Sequence, residues 1–292
     1  MTRNSTPRTS GASGRPGPRR PRSGRDRARR FLSQNFLADP RAIDVIVRSV
    51  AARPGDLVVE VGAGDGRITA ALAAGDAYVI AYEIDPALAG RVRERCADLP
   101  NVRIVRGDFL RARPPRGPFA VAGNIPYSLT SAIVEWCLRA PELTSATLVT
   151  QLEYARKRTG DYGRWSLVTV RSWPLFHWRL GERIGRELFR PVPRVDSAIL
   201  RLERRPRPLL PASALADYER CVALGFTGEG GTLRASLRRE HPRGRVDAAL
   251  RVAGVERDAV VAFVHPDQWL RLFRVLHGLP PAEARSGTPR PT

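Results

Sequence analysis

The sequence predicts an α/β domain built on an open, largely parallel sheet, followed by a small helical domain. Apolar runs of strand length alternate with helical stretches from about residue 40 to residue 202. Gly62-Ala63-Gly64-Asp65-Gly66 directly follows one such run and opens a helix, the strand–turn–helix unit found where an α/β sheet meets a ligand. Beyond Arg204-Arg205-Pro206-Arg207-Pro208 the pattern turns helical. The expected layout is an arm at 1–28, an α/β domain at 29–205, a helical domain at 206–278 and a tail at 279–292.

The fold begins near Arg29-Arg30-Phe31, and Ser33-Gln34-Asn35-Phe36-Leu37 reads as a loop. Asp39 is expected to cap a helix with Pro40 in its first turn, Ile43, Ile46, Val47 and Val50 on its buried face, and Gly55 at its end. Leu57-Val58-Val59-Glu60-Val61 reads as a buried strand, then the glycine turn, then a helix over 67–74. Glycines let a backbone turn sharply and approach a bound molecule closely. A dinucleotide fingerprint requires Gly or Ala at position 67; Arg67 stands there, which argues against a pyrophosphate cofactor and a nicotinamide oxidoreductase. A second strand over 77–82 ends at Glu83, where a carboxylate about 20 residues after the glycines suits a ribose diol. Asp85 is expected to cap the next helix at Pro86. A third strand, 102–105, leads to Asp108, placed to accept a hydrogen bond from an adenine amino group. Each acid also reads as an ordinary cap or turn residue.

Gly123-Asn124-Ile125-Pro126-Tyr127 follows the apolar run 119–122 and precedes a helix with Leu129, Ile133, Trp136 and Cys137 on one face. The Asn124 oxygen accepts from an amino group, Pro126 stiffens the backbone beside carbonyls that also accept, and Tyr127 offers a stacking face. Together they form a holder for an aromatic ring with an exocyclic amino group, such as adenine; a proline turn with a half-buried tyrosine is the plainer alternative. Next come a strand over 146–151, a basic loop over 154–164, a helical run over 165–173 and a strand over 176–180. A proline-rich loop starting at Phe189 leads into a strand over 198–202 that closes the sheet. The helical segments after residue 211 carry Arg234, Arg238 and Arg239 on a basic face.

Charge narrows the partner. The 292 residues carry a formal charge of +20, and residues 1–30 hold ten arginines against Asp26, leaving +11 for the body. Lys157 is the sole lysine, so compositional bias explains Arg in place of Lys, but not the excess of cations over anions. Nucleic acid is the natural polyanion. Residues 1–28 and 279–292 hold too little apolar surface to offset ordering entropy and are expected to be disordered. Cys96, Cys137 and Cys221 form no CxxC pair, and His177, His241, His265 and His277 form no metal-spaced pair, so no disulfide framework and no metal are expected. No apolar run reaches the roughly 18 residues of a membrane span, and no secretory h-region is present, so an intracellular, soluble protein without a membrane partner is expected.

Six motifs, taken in order, resemble those of the rRNA adenine N6-methyltransferases over residues 29–278. They are Ser-Gln-Asn-Phe-Leu at 33–37, Glu-Val-Gly-Ala-Gly-Asp-Gly at 60–66, Glu-Ile-Asp at 83–85, Gly-Asp at 107–108, Asn-Ile-Pro-Tyr at 124–127 and Phe-x-Pro-x-Pro-x-Val-Asp-Ser at 189–197. The resemblance implies a Rossmann-like, seven-stranded methyltransferase domain using S-adenosylmethionine (SAM), with a helical RNA-binding domain. It implies SAM contacts at Asn35, Leu37, Gly62, Gly64, Glu83, Asp108 and Asn124. The catalytic loop would be Asn124, Ile125, Pro126 and Tyr127, with Tyr127 and Phe189 holding the target base. Ser33, Ile125 and the Arg/Gly-rich arm resemble the erythromycin-resistance branch, which acts on 23S rRNA in the peptidyl-transferase loop. The housekeeping branch, which dimethylates 16S rRNA, tends to have Gly and Leu at the first two positions and is the alternative. Residues 228–239 depart from the family in being rich in Gly rather than Lys. The expected protein is a cytoplasmic monomer acting on 23S rRNA, free or in pre-ribosomal particles, and conferring macrolide-type resistance. A non-catalytic RNA-binding or transcription factor on the same fold is disfavoured by the intact 124–127 loop and Glu83.

Overall fold

The structure, a computed structural model, describes residues 35–280. The 1–28 arm, Ser33, Gln34 and the tail beyond residue 280 lie outside the described residues. Phe36–Leu37 forms a two-residue strand, β1, rather than the expected loop. Asp39 then caps α1 (Pro40–Val50) by accepting the Arg41 N–H at 2.8 Å. This helix ends on Ala51, in the left-handed region at φ 53°, and Gly55 instead turns the chain toward the next strand.

The chain continues through β2 (Leu57–Val61), α2 (Arg67–Ala73), β3 (Tyr78–Glu83), α3 (Pro86–Arg95), β4 (Val102–Arg106) and β5 (Phe119–Asn124). Next come α4 (Thr130–Arg139), β6 (Leu143–Gln151), α5 (Leu152–Arg158), α6 (Leu167–Ser172) and β7 (Phe176–Ile184), then β8 (Phe189–Arg190) and β9 (Ser197–Arg204). Seven strands form one sheet in the order β4-β3-β2-β5-β6-β9-β7. The first five run parallel, and β9 is antiparallel to both of its neighbours. Parallel strands require crossovers, and their cores are covered on both faces; Val58, Val59 and Val61 are accordingly all buried. The last strand in sequence does not close the sheet at its edge. It inserts between β6 and β7, which leaves β7 outermost. The chain leaves β2 toward β3 and β4, then returns to β5 on the other side, so the switch point where such sheets bind ligands lies between β2 and β5.

The segment expected as a basic loop over 154–164 begins as α5, which continues directly from β6 and buries Ala155. Arg156, Lys157 and Arg158 in its last turn face the negative end of the helix dipole, an arrangement that local charge conceals in the sequence. The C-terminal helices α7 (Leu215–Gly225), α8 (Leu233–Leu237), α9 (Arg243–Ala253) and α10 (Pro266–His277) share an apolar core with Tyr218, Trp269 and Phe273. That core reaches back across the expected 205/206 boundary to Val170 on α6, whose carbonyl accepts the Tyr218 hydroxyl at 3.0 Å. The expected basic face is partly neutralised. Arg234 is clamped on Asp247 at 2.6 and 3.0 Å, and Arg239 pairs with Glu229.

Glu60 sits in the middle of the sheet, 1 % exposed. Its Oε2 accepts the Thr69 hydroxyl at 2.5 Å, and its Oε1 has no hydrogen-bond partner among the described residues. Burial, with the charges of Glu83 and Asp65 adding to it against the Thr69 bond, pushes this carboxyl up to about 8. It is therefore mostly protonated at neutral pH. The raised value makes its contribution to stability complete below the ordinary carboxylate range and lost as pH rises toward 8. Glu60→Gln mimics the protonated form, so its stability in urea unfolding is expected to fall less than that of the wild type between pH 5 and 8. Parallel pH profiles for the two proteins would refute the assignment.

Candidate active site

The carboxyl ends of β2, β3 and β5 carry the glycine turn, Glu83 and Asn124. In the turn, Gly62, Gly64 and Gly66 all have positive φ (72°, 61° and 81°), which only glycine adopts without strain. A Cβ on Gly62 would meet nothing within 4 Å among the described residues, so they leave this side of the turn open; one on Gly64 would press on the Phe36 ring at 3.3 Å. Glu83 holds the turn from beneath. Its Oε2 accepts the Gly64 N–H at 2.8 Å, and its Oε1 accepts the Asp85 N–H at 2.9 Å. Burial raises its pKa while these backbone bonds oppose the rise.

Arg67 explains the departure from the dinucleotide pattern. Its guanidinium pairs with Asp65 at 2.8 Å and donates to the Leu37 and Ala38 carbonyls at 3.4 and 3.2 Å. It straps β1 over the glycine turn. From the other side, β1 pairs with β8, Phe36 opposite Arg190 and Leu37 opposite Phe189.

That strapping delivers Asn35 to the central loop. Asn124 Nδ2 donates to the Asn35 carbonyl at 2.7 Å. A carbonyl can be met only by the amide nitrogen, so this bond fixes the orientation of the carboxamide and turns Oδ1 away as an acceptor. Ile125 is buried, and the Pro126 carbonyl accepts the Leu129 N–H at 2.9 Å, which keeps one further lone pair for another donor. Tyr127 is half-buried, and its hydroxyl is hydrogen-bonded to that of the fully buried Ser197 at 2.6 Å. Burial raises the Tyr127 pKa, against the opposing pull of Ser197.

Asp108 and Phe189 have partners of their own within the protein. Asp108 acts as a cap, its Oδ1 accepting the Leu110 N–H at 3.0 Å, with Oδ2 toward Arg111 at 3.8 Å. Phe189 is 0 % exposed and packs in the core with Leu37 and Ile184, because pairing of β8 with β1 folds its ring inward. In this conformation it is not an open second wall for a base, contrary to expectation. The roles of Ser197, Arg67 and the Asn35 carbonyl escaped the sequence reading. So did the need for Gly123, where a Cβ would lie 2.5 Å from the Val61 carbonyl oxygen. The signal there was a glycine at the end of a central strand, which marks close backbone approach. Gly123→Ala is expected to push β5 from β2 and destabilise the protein by about 1–3 kcal/mol, read as a lower thermal midpoint. An unchanged midpoint would show that the strand ends have slack.

No two histidines are metal-spaced in the sequence, yet one cysteine and two histidines come close in the fold. The possible ligand atoms of Cys221, His241 and His277 lie within 4.8 Å of one another, brought together from α7, the bend between α8 and α9, and α10, which sequence spacing cannot relate. Burial pushes the Cys221 thiol up to about 12, and burial together with His241, Arg245 and Arg220 lowers the His277 pKa. The two arginines oppose a bound cation, and the cluster lies in the helical region rather than at the strand ends. Among the described residues no helix is long and apolar enough to cross a membrane.

Known proteins share the sequence and the fold. The family model "Ribosomal RNA adenine dimethylase" matches residues 25–277. An rRNA adenine N-6-methyltransferase of Streptomyces fradiae is 60% identical over 252 residues, 86% of this chain and 79% of that protein. The mycinamicin-resistance protein MyrB of Micromonospora griseorubida is 38% identical over 90% of this chain and 85% of its own length. The crystal structure of the 23S rRNA methyltransferase ErmE superposes with a TM-score of 0.80 at 56% identity, covering 83% of this chain and 100% of that one. The chain therefore belongs to the ribosomal RNA adenine dimethylase family.

Proposed function

We propose that this protein methylates N6 of an adenine in 23S rRNA at the expense of SAM and thereby confers macrolide-type resistance. It does so as a cytoplasmic monomer on free rRNA or pre-ribosomal particles. The similarity to ErmE and to a mycinamicin-resistance protein supports the 23S target over the 16S alternative. The observation that carries the chemistry is the anchored Asn124 amide, whose nitrogen is held by the Asn35 carbonyl so that its oxygen remains an acceptor, three residues before the Tyr127 ring.

The strand ends fit SAM. The open side of Gly62 admits a ligand against the backbone, and each Glu83 oxygen keeps a lone pair for a ribose hydroxyl beyond its backbone bond. Asn35, Leu37, Gly64 and Asp108 border the same turn and strand ends and would complete that site. Asp108 Oδ2 is the oxygen available to an adenine amino group. Bound there, SAM supplies an electrophilic methyl on a sulfonium leaving group. The protein's own part is to position the acceptor. The N6 lone pair of adenine is delocalised into its ring. Asn124 Oδ1 and the Pro126 carbonyl accept its two N–H bonds, which favours a tetrahedral nitrogen with its lone pair turned to the methyl. The target base must leave its stack to arrive there, and the Tyr127 ring replaces the lost stacking. No residue is required as a metal ligand or covalent nucleophile.

Because Ser197 holds the Tyr127 hydroxyl, the ring rather than the hydroxyl is expected to matter. Tyr127→Phe loses one hydrogen bond, about 1 kcal/mol, and should retain activity within tenfold. Tyr127→Ala loses a stacking contact of about 1–3 kcal/mol and should slow single-turnover methylation by roughly one to two decades. Equal, severe losses in both would assign the role to the hydroxyl. Mass spectrometry of 23S and 16S fragments after incubation with SAM tests the substrate; incorporation into the 16S fragment alone, or into neither, would overturn the proposal.

A further inference from the structure

A cavity of about 590 Å³ opens where the end of α5 and the 160–166 turn meet the helical region. Its rim carries Lys157, Arg158 and Arg164, and two aromatic residues, Tyr162 and Phe263, line it while each is 52% exposed. Both rings are held in place. Tyr162 lies in the left-handed region at φ 68°, between Gly160 and Gly163, which also have positive φ. A bulky residue is rarely found there, and such strain in a cavity wall points to function. The Arg156 guanidinium covers the Tyr162 ring at 4.3 Å and is itself paired with Asp161, an acid on the cavity wall. Phe263 is steadied from the other side. The neighbouring Ala262 carbonyl accepts the Trp165 N–H at 2.7 Å, and Arg164 stands 5.1 Å over the Phe263 ring.

With one face of each ring under a guanidinium and about half of each residue still exposed, the pair suits an unpaired base, which has a π-face to stack and a phosphate to pair. We propose that this cavity is a second RNA subsite, which seats an unpaired nucleotide of the substrate next to the target adenine. The inference rests on the rRNA methyl-transfer reading above. Two contacts relate the cavity to the catalytic loop. α5 leaves the end of β6, which pairs with β5 as far as Asn124 opposite Val149. On it Tyr154 receives the Ser131 hydroxyl at 3.5 Å and carries Arg158 over its ring at 4.7 Å. From the start of α5 to Arg158 is about 9 Å at 1.5 Å per residue. That rise alone matches the span of one to three nucleotides at roughly 3.4 Å or more each, which sets the flanking unpaired positions to be probed.

The test uses the full chain and a 23S hairpin with 2-aminopurine placed in turn at unpaired positions flanking the target adenine. Wild-type protein is expected to change the fluorescence of a probe one to three nucleotides away. Phe263→Ala and Tyr162→Asn, the latter a residue that tolerates positive φ, are expected to abolish that change. They should weaken hairpin binding five- to 100-fold, leaving affinity for SAM and for fully paired RNA as in the wild type. Phe263→Trp should restore the binding. Hairpin binding within twofold of wild type in both ring-deleting variants would overturn the subsite, and so would an equal loss on paired RNA. Binding is measured without SAM, so a wild type that incorporates no methyl would refute the proposed function while the binding comparison still decides the subsite.

Discussion

Replacing Asn124 by Ala is expected to slow single-turnover methylation of a 23S hairpin 100- to 1000-fold, with SAM affinity within tenfold of wild type. The size follows from what is removed. A preorganised hydrogen-bonding group aimed at the reacting centre is worth about two to three decades in rate, and the Asn124 oxygen is preorganised by the bond its nitrogen makes to the Asn35 carbonyl. Asn124→Asp separates the two halves of the amide. It keeps an acceptor oxygen but sets a carboxylate against the Asn35 carbonyl, acceptor against acceptor, so the anchor is lost. It should be at least tenfold slower than wild type. If both variants transfer methyl within fivefold of wild type, the loop does not hold N6 in the way proposed.

What makes that anchor effective was invisible in the sequence. Glu83, Asp108 and Asn124 could be placed because each follows an apolar strand, and the end of a strand is a local property of the chain. The bond from Asn124 to Asn35 spans 89 residues, and the one from Tyr127 to Ser197 spans 70. No local pattern says which loop crosses which strand end; that is decided when β1 pairs with β8 and β9 inserts beside β6. The same long-range pairing turned Phe189, read as an exposed aromatic among prolines, into a core residue. The glycine turn was legible as a ligand site, but Arg67 was legible only as an exception. Its purpose, tying Leu37 and Ala38 down over the turn, depends on a segment 29 to 30 residues earlier. Sheet order was hidden for a related reason, since an apolar strand such as β9 fits the middle of a sheet as well as its edge.

Glu83→Ala is expected to weaken SAM binding at least 100-fold by calorimetry, while RNA affinity stays near the wild-type value. Two losses combine. Charge-assisted bonds to the ribose hydroxyls are worth about 1.5–3 kcal/mol each, and the Gly64 and Asp85 N–H groups lose the carboxylate that shapes the turn. The second loss distinguishes this carboxylate from a simple ribose acceptor. Glu83→Gln retains one carbonyl oxygen but must face the other backbone N–H with its own NH2, donor against donor. It should therefore bind SAM no better than the alanine variant. A glutamine variant with affinity near wild type would show that the turn does not depend on both oxygens. A pH series adds a sign. Burial raises the Glu83 pKa, so as pH falls the carboxylate is protonated earlier than an ordinary glutamate and loses acceptor capacity. SAM affinity should drop on the acid side in the wild type and stay flat over the same range in Glu83→Ala; a wild-type affinity independent of pH down to the ordinary glutamate range would remove Glu83 from the site.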